Sequence, residues 1–267
     1  MDEMDATGAA GTAAGPAPTE VLKVGSTSVS FLAAHRLSQP VQNTATVLRL
    51  LEASDRVDRL NRYLDALAAA HDAPGGRRLA ALGEVGRRYP GLAEALRQRG
   101  WQTWTLSGEE EARAAWWGEQ AFWPVPIAVL DVGGGSTEFA GPLASVSVPV
   151  GAARPPNAST PALPVLGASK IIALGGSARA LAALLGNPLT RSGLEHWATP
   201  DLPDDDETLR AAGIDPARRP LLDGGAHTLR WALEALQQQT VFVSARDLRW
   251  GLWLAARLGR SGDHRDG

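Results

Sequence analysis

Two segments of this chain repeat one another about 108 residues apart (23 to 131). Residues 21–31 read Val-Leu-Lys-Val-Gly-Ser-Thr-Ser-Val-Ser-Phe, and residues 129–139 read Val-Leu-Asp-Val-Gly-Gly-Gly-Ser-Thr-Glu-Phe. Both follow Val-Leu-x-Val-Gly-x-x-Ser-x-x-Phe. Each copy predicts a buried apolar strand, a Gly/Ser/Thr turn and a second strand ending on Phe. Solenoid repeats have much shorter periods, so the interval points to two similar domains. Two such turns facing each other across a cleft would grip a phosphate chain. Backbone N–H groups exposed in a turn attract anions, and glycine admits close approach.

The rest of the composition sets broad bounds. Of the 267 residues 44% are hydrophobic and 21% charged, which supports a substantial core. A net charge of −3 and a pI near 6.0 argue against a nucleic-acid partner, which favours a basic face. The absence of cysteine excludes disulfides and thiolate metal sites. The first residues lack the basic and apolar regions of a signal peptide. No apolar run is long enough to span a bilayer, so the expectation is a soluble cytoplasmic protein without a membrane partner.

Strands alternating with helices predict an α/β architecture. Residues 1–19 are small and polar and read as a disordered tail. A strand pair is expected at 21–34. Apolar residues Val47, Leu48, Leu51, Val57, Leu60, Tyr63, Leu64 and Leu67 have helical spacing and predict one or two helices over 44–71, broken by the Pro-Gly-Gly after Asp72. A helix is expected at 91–99 and a strand at 101–106. Ser107 and Glu110 form a capping box opening a helix that runs to about Glu119. Pro124 and Pro126 mark a hinge. Later elements are a strand at 146–150, a proline-rich irregular stretch at 152–168 and an acidic, proline-rich stretch at 199–220. A helix at 224–238, a strand at 241–244 and a helix at 247–259 close the chain. The domains expected are 20–124 and 125–260, with 261–267 as a tail.

Three groups of residues carry chemistry. In Asp131-Val-Gly-Gly-Gly-Ser-Thr-Glu138, the Gly133, Gly134, Gly135 and Ser136 turn offers successive N–H groups and a hydroxyl. Asp131 at the strand end is a candidate ligand for Mg²⁺. A simple hairpin turn would explain the glycines, but it needs neither Asp131 nor Glu138. No lysine follows the glycines, which excludes a P-loop. Ile171 to Leu181 reads as strand, Gly175-Gly176 turn and helix, a second candidate phosphate contact. In Ser107-Gly-Glu-Glu-Glu-Ala-Arg113, acids suit a helix N-terminus and Glu110 completes the capping box; Glu111 is left unexplained. Arg113 faces another side of that helix and reads as structural. So do the nine tryptophans, as core or interface residues. Asp204 to Glu207 reads as a solvated helix start, and the five histidines lack ligand spacing.

Together, Ser107–Arg113, Asp131–Glu138, Leu174–Leu181 and Val243–Leu252 resemble, in order, elements of the exopolyphosphatase / guanosine pentaphosphate phosphohydrolase family. The resemblance implies an actin-like, duplicated two-domain fold, two ribonuclease-H-like halves around a central cleft. It implies a phosphohydrolase that removes terminal phosphate from inorganic polyphosphate or guanosine pentaphosphate, with Glu111 as general base and Glu138 orienting water or metal. Asp131 and Glu138 would hold Mg²⁺. Phosphates would lie on Gly25, Ser26 and Ser28, on Gly133 to Ser136 and on Gly175 and Gly176. Arg87 is what remains of a further phosphate-binding loop, over residues 82–87. A homodimer is compatible.

The chain departs from that pattern at several places. Lys23 stands where the family has Asp, and Thr27 where it has Asn. Residues 152–168 are shorter than the corresponding segment, and no C-terminal accessory domain is expected. Either the Lys23 ammonium sits where a metal's charge would have been or it extends to solvent. The alternative function is a degenerate polyphosphate or nucleotide sensor of the same fold. A sugar-kinase-like transferase fits the fold but not the Glu-Glu-Ala-Arg element.

Overall fold

The structure is a computed structural model that describes residues 18–36, 39–70, 76–197 and 206–258. The first half contains strands β1 (Thr19–Val24), β2 (Ser28–Arg36), β3 (Gln39–Val47), β4 (Arg78–Leu82) and β5 (Gln102–Thr105). Helices α1 (Arg56–Ala70), α2 (Glu84–Arg88), α3 (Gly91–Gln98) and α4 (Gly108–Gln120) accompany them. The second half contains β6 (Ile127–Val132), β7 (Thr137–Ala140), β8 (Ser145–Val148), β9 (Lys170–Leu174), β10 (Leu189–Thr190) and β11 (Thr240–Val243). Its helices are α5 (Gly176–Leu185), α6 (Arg191–Trp197), α7 (Asp206–Ala211), α8 (Arg219–Ala235) and α9 (Leu248–Arg257).

The sheets repeat as the sequence does. The first has the order β3-β2-β1-β4-β5, and the second contains the same arrangement as β8-β7-β6-β9-β11 with β10 added at its edge. In both, the first three strands form an antiparallel meander and the next two join in parallel. This is a ribonuclease-H-like half, present twice, and the duplicated arrangement is actin-like. The repeat interval carries β1 onto β6 from end to end. It also carries the Gly25 N–H to Ser28 carbonyl bond (3.0 Å) onto the Gly133 to Ser136 bond (2.9 Å).

Alternation along β1 and β6 decides what each face meets. Leu22 and Val24 turn outward, onto the core built with Leu60, Leu64, Leu92 and Leu96 of α1 and α3. Leu130 and Val132 turn outward on the other side, into the core completed by α5 and α8. The opposite faces, with Val21 on β1 and Ile127 and Val129 on β6, share one cluster with Ala112 and Ala115 of α4 and Leu248 and Leu252 of α9. Lys23 and Asp131 continue these inner faces at the strand ends. Between the sheets, α4 and α9 touch closely: a Cβ on Gly251 would overlap the Ala114 carbonyl. Trp116 and Trp253 donate their indole N–H groups to the carbonyls of Ile127 (2.8 Å) and Ala34 (2.9 Å), so these tryptophans tie the helices to both sheets.

Three expectations need correction. Residues 39–47 form β3, a largely exposed strand paired with β2, so Val47 belongs to a strand and helix α1 begins only at Arg56. The helical spacing arose by running strand residues into the helix. Residues 82–87 are not a loop: Leu82 ends the buried strand β4 and Glu84–Arg88 is a short helix. The disordered tail expected over 1–19 ends too late: Thr19 is buried and opens β1, paired with Ala34 of β2. Residues 1–17, 71–75, Asp204, Asp205 and 259–267 lie outside the described residues. Among the described residues no helix is long and apolar enough to cross a membrane.

Candidate functional site

The two repeated turns face each other. A Cβ on Gly134 would overlap the Thr27 hydroxyl, so the turn of one half presses on the turn of the other. Gly25, Ser26, Ser28, Gly133, Gly134, Gly135, Ser136, Gly175 and Gly176 line one cleft chamber, with Lys23, Glu111, Asp131 and Glu138. Of the residues singled out from sequence, only Arg87 is absent from this lining. It sits on α2, its guanidinium on the Leu106 carbonyl and 4.0 Å from Glu111 Oε1.

The second turn is shaped to present donors. Its carbonyls at Gly133 and Gly134 accept from Ala152 (2.9 Å) and Ala153 (2.7 Å), which fixes the loop. The N–H groups of Gly134 and Gly135 make no hydrogen bond among the described residues, and both residues line the chamber. Gly175 has φ +98°, a conformation glycine adopts without strain, and helix α5 starts immediately after it.

Four carboxylates surround the chamber. Glu111 lies in the first turn of α4, whose start is fixed by the Ser107–Glu110 capping box. Its carboxylate packs on Gly83, where a Cβ would collide with it. Burial raises its pKa, and the Asp131 charge adds to that, while Lys23 and Arg87 oppose it. Glu138 Oε1 accepts from Ser136 (2.6 Å) and Ser147 (3.0 Å). Burial, then the Glu111 and Asp131 charges, push its pKa up to about 8. Glu84, at the start of α2, approaches Gly135. Arg113 is not in the chamber lining and donates to the Ser145 hydroxyl (3.0 Å).

Asp131 is paired across the two halves. The Lys23 ammonium lies 2.9 Å from its Oδ2, with the side chains 21% and 3% exposed. Burial alone would lower the Lys23 pKa, but the Asp131, Asp247 and Glu111 charges outweigh it and raise it. Asp131 Oδ1 is buried without a hydrogen-bond partner, close to Gly175.

The residues expected to hold Mg²⁺ are partly committed to other partners. The Lys23 ammonium already holds Asp131 Oδ2, where it supplies a positive charge of its own. Glu138 spends Oε1 on the Ser136 and Ser147 hydroxyls. Among the described residues no group of three or more His, Asp or Glu side chains is placed to hold a metal ion.

Sequence reasoning missed the arginines. A second chamber of about 370 Å³ shares Lys23, Ser28, Gly175, Gly176 and Arg218 with the first, and adds Arg179, Arg246, Asp247 and Arg249. Arg246 is held by buried Glu119 (2.8 Å twice) and Arg249 by Asp247 (2.8 Å) and the Phe31 carbonyl (2.6 Å). Arg218, which lies on Gly176, and Arg179 have no ion pair among the described residues. Arg218 sits in the proline-rich stretch before α8, and its only sequence signal was the basic Ala217-Arg-Arg219 within acidic surroundings.

No protein-family model matches the sequence, and no curated protein matches it either. Solved structures do match in fold. A Ppx/GppA family member from Aquifex aeolicus aligns over 93% of this chain and 99% of its own, with TM-score 0.67 and 18% identity. An exopolyphosphatase from Cytophaga hutchinsonii aligns over 91% and 99%, with TM-score 0.70 and 14% identity. A third, described as an exopolyphosphatase-like protein, aligns over 91% and 98%, with TM-score 0.71 and 20% identity. The chain therefore has the Ppx/GppA fold across about nine-tenths of its length.

Proposed function

We propose that the cleft hydrolyses the terminal phosphoanhydride of a phosphate chain, inorganic polyphosphate or guanosine pentaphosphate. The carrying observation is the Glu111 carboxylate, buried against Gly83 and lining the same chamber as both Gly/Ser turns. The shared fold adds support, since the solved structures include proteins described as exopolyphosphatases. In this reading the turn N–H groups hold the terminal phosphoryl oxygens. Water attacks the terminal phosphorus and its proton passes to Glu111 Oε. The bridging P–O bond breaks, the shortened chain leaves with the bonding electrons, and inorganic phosphate is released.

The test is phosphate release from tripolyphosphate and from guanosine pentaphosphate by the native chain and by Glu111→Gln. Release that drops at least a hundredfold in the variant, with substrate still bound, supports the reading. Equal release from both proteins removes Glu111 from the chemistry.

A second reading is a binder of such chains without turnover. The observation favouring it is the Lys23–Asp131 pair, which ties up a carboxylate that the hydrolase pattern assigns to a metal. Binding of either substrate without release would select it.

A further inference from the structure

We propose that this cleft binds oligophosphate without a divalent cation, using Lys23 from the first half and Arg218 from the second as its resident cations. The proposal rests on the phosphate-chain reading of the cleft and deepens it. A phosphate chain brings several negative charges into a space already bordered by Glu84, Glu111, Asp131 and Glu138. Some cation must offset them, and the chain's own residues supply two. The Lys23 ammonium is anchored 2.9 Å from Asp131 but remains 21% exposed to the cleft. Asp131 consumes only part of its hydrogen-bonding capacity, since an ammonium carries three donors.

Arg218 is the complementary charge. It lines both chambers, lies against Gly176 at the start of α5, and has no ion-pair partner among the described residues. Arg179 lies near enough to repel it, and the two guanidiniums, offset only in part by Asp215, mark the second chamber as a place for anionic groups. Asp215 also faces Arg218 and offsets part of its charge without forming an ion pair with it, its Oδ1 capping the Ala217 N–H (2.9 Å). Arg246 and Arg249 are committed to Glu119 and Asp247. A chain of three or more phosphates would therefore have its end on the two turns near Lys23 and its next groups beside Arg218.

Isothermal titration with tripolyphosphate tests this, run on the native chain in excess EDTA and again in Mg²⁺. Affinity in EDTA within threefold of that in Mg²⁺ is expected. Lys23→Met and Arg218→Met should each weaken binding in EDTA at least tenfold, the size of one lost charge-assisted contact. Circular dichroism reports whether each variant folds; Arg218 is in a surface segment, so its variant keeps the test open if Lys23→Met unfolds. Binding by the native chain that appears only with Mg²⁺ overturns the inference but leaves the hydrolase reading intact. No binding under either condition overturns both. Arg218→Met binding as tightly as the native chain also overturns it.

Discussion

Lys23 and Asp131 occupy the same position in the two halves of the repeat, and they meet at 2.9 Å across the cleft. Their cross-strand partners correspond as well: Lys23 is opposite Ser30, and Asp131 is opposite Glu138. The duplication thus placed two equivalent side chains face to face, and the sequence made them opposite in charge. Removing one member of a buried pair leaves the other charge unpaired. Lys23→Met is expected to destabilise the fold by about 3 kcal/mol, toward the low end because the ammonium keeps some water. Lys23→Met with Asp131→Asn should recover most of that loss. Urea denaturation of the native chain, both single variants and the double would measure the coupling, and strictly additive effects would mean the pair contributes nothing.

Glu138 makes stability depend on pH. Its pKa is 4.5 in the unfolded chain and about 8 in the fold, so the native state holds the proton more tightly. The native form therefore binds more protons than the unfolded form between these values, and stability falls as pH rises. The contribution is full below about 4.5, declines through the interval to about 8 and is flat above it. Glutamine imitates the protonated acid, and its carbonyl oxygen can accept from Ser136 and Ser147. Glu138→Gln should thus flatten the decline, and the variant should be the more stable protein at pH 9. Melting curves across pH 5–9 decide it, and an unchanged slope in the variant would reassign the effect to Glu111.

The contact of α4 with α9 holds the inner layer together. A Cβ at Gly251 would run into the Ala114 carbonyl, and one at Gly118 into the Gly251 N–H and Trp250. Neither obstacle is a flexible side-chain tip, so the helices must separate. Gly251→Ala should cost about 3 kcal/mol, at the upper end of overpacking. Because α9 also carries Arg249 into the first sheet, through the Phe31 and Thr44 carbonyls, the loss should appear in both halves in one transition. A native-like melting midpoint would show that the helices tolerate a wider spacing.

Much of this arrangement was readable from the chain because its signals are local. The Gly25–Ser28 and Gly133–Ser136 turns are contiguous, repeat one another, and lie between strands of matching pattern. The Ser107–Glu110 capping box fixed the start of α4 and thereby the orientation of Glu111. What was missed depends on distant residues. Arg218 reaches Gly176 from just before α8, 42 residues further along the chain, with no local pattern linking the two. Strand β3 borrowed helical spacing because Val47 and Leu48 run into the apolar series of α1. The Leu79 to Leu82 run of β4 is too short to separate a buried strand from a helix by periodicity. The Lys23–Asp131 bond was one of two outcomes left open by sequence, since only the fold shows which way the ammonium turns.

The placement of Glu111 gives a prediction that separates catalysis from binding. Its carboxylate rests on the bare backbone of Gly83, and the three nearest atoms that a methyl group there would meet all belong to that carboxylate. Gly83→Ala should therefore fold and still bind tripolyphosphate, because the two turns and Lys23 are untouched. The water held by Glu111 would shift by an ångström or so, which costs roughly a hundredfold in rate when positioning dominates. Release of phosphate should fall in kcat while KM stays within a factor of about three. The native rate should also rise with pH through a value above the ordinary carboxylate range, since the raised pKa of Glu111 sets the fraction able to accept a proton. A rate limb at the ordinary carboxylate value, or a Gly83→Ala variant as fast as the native chain, would move the proton acceptor elsewhere in the cleft.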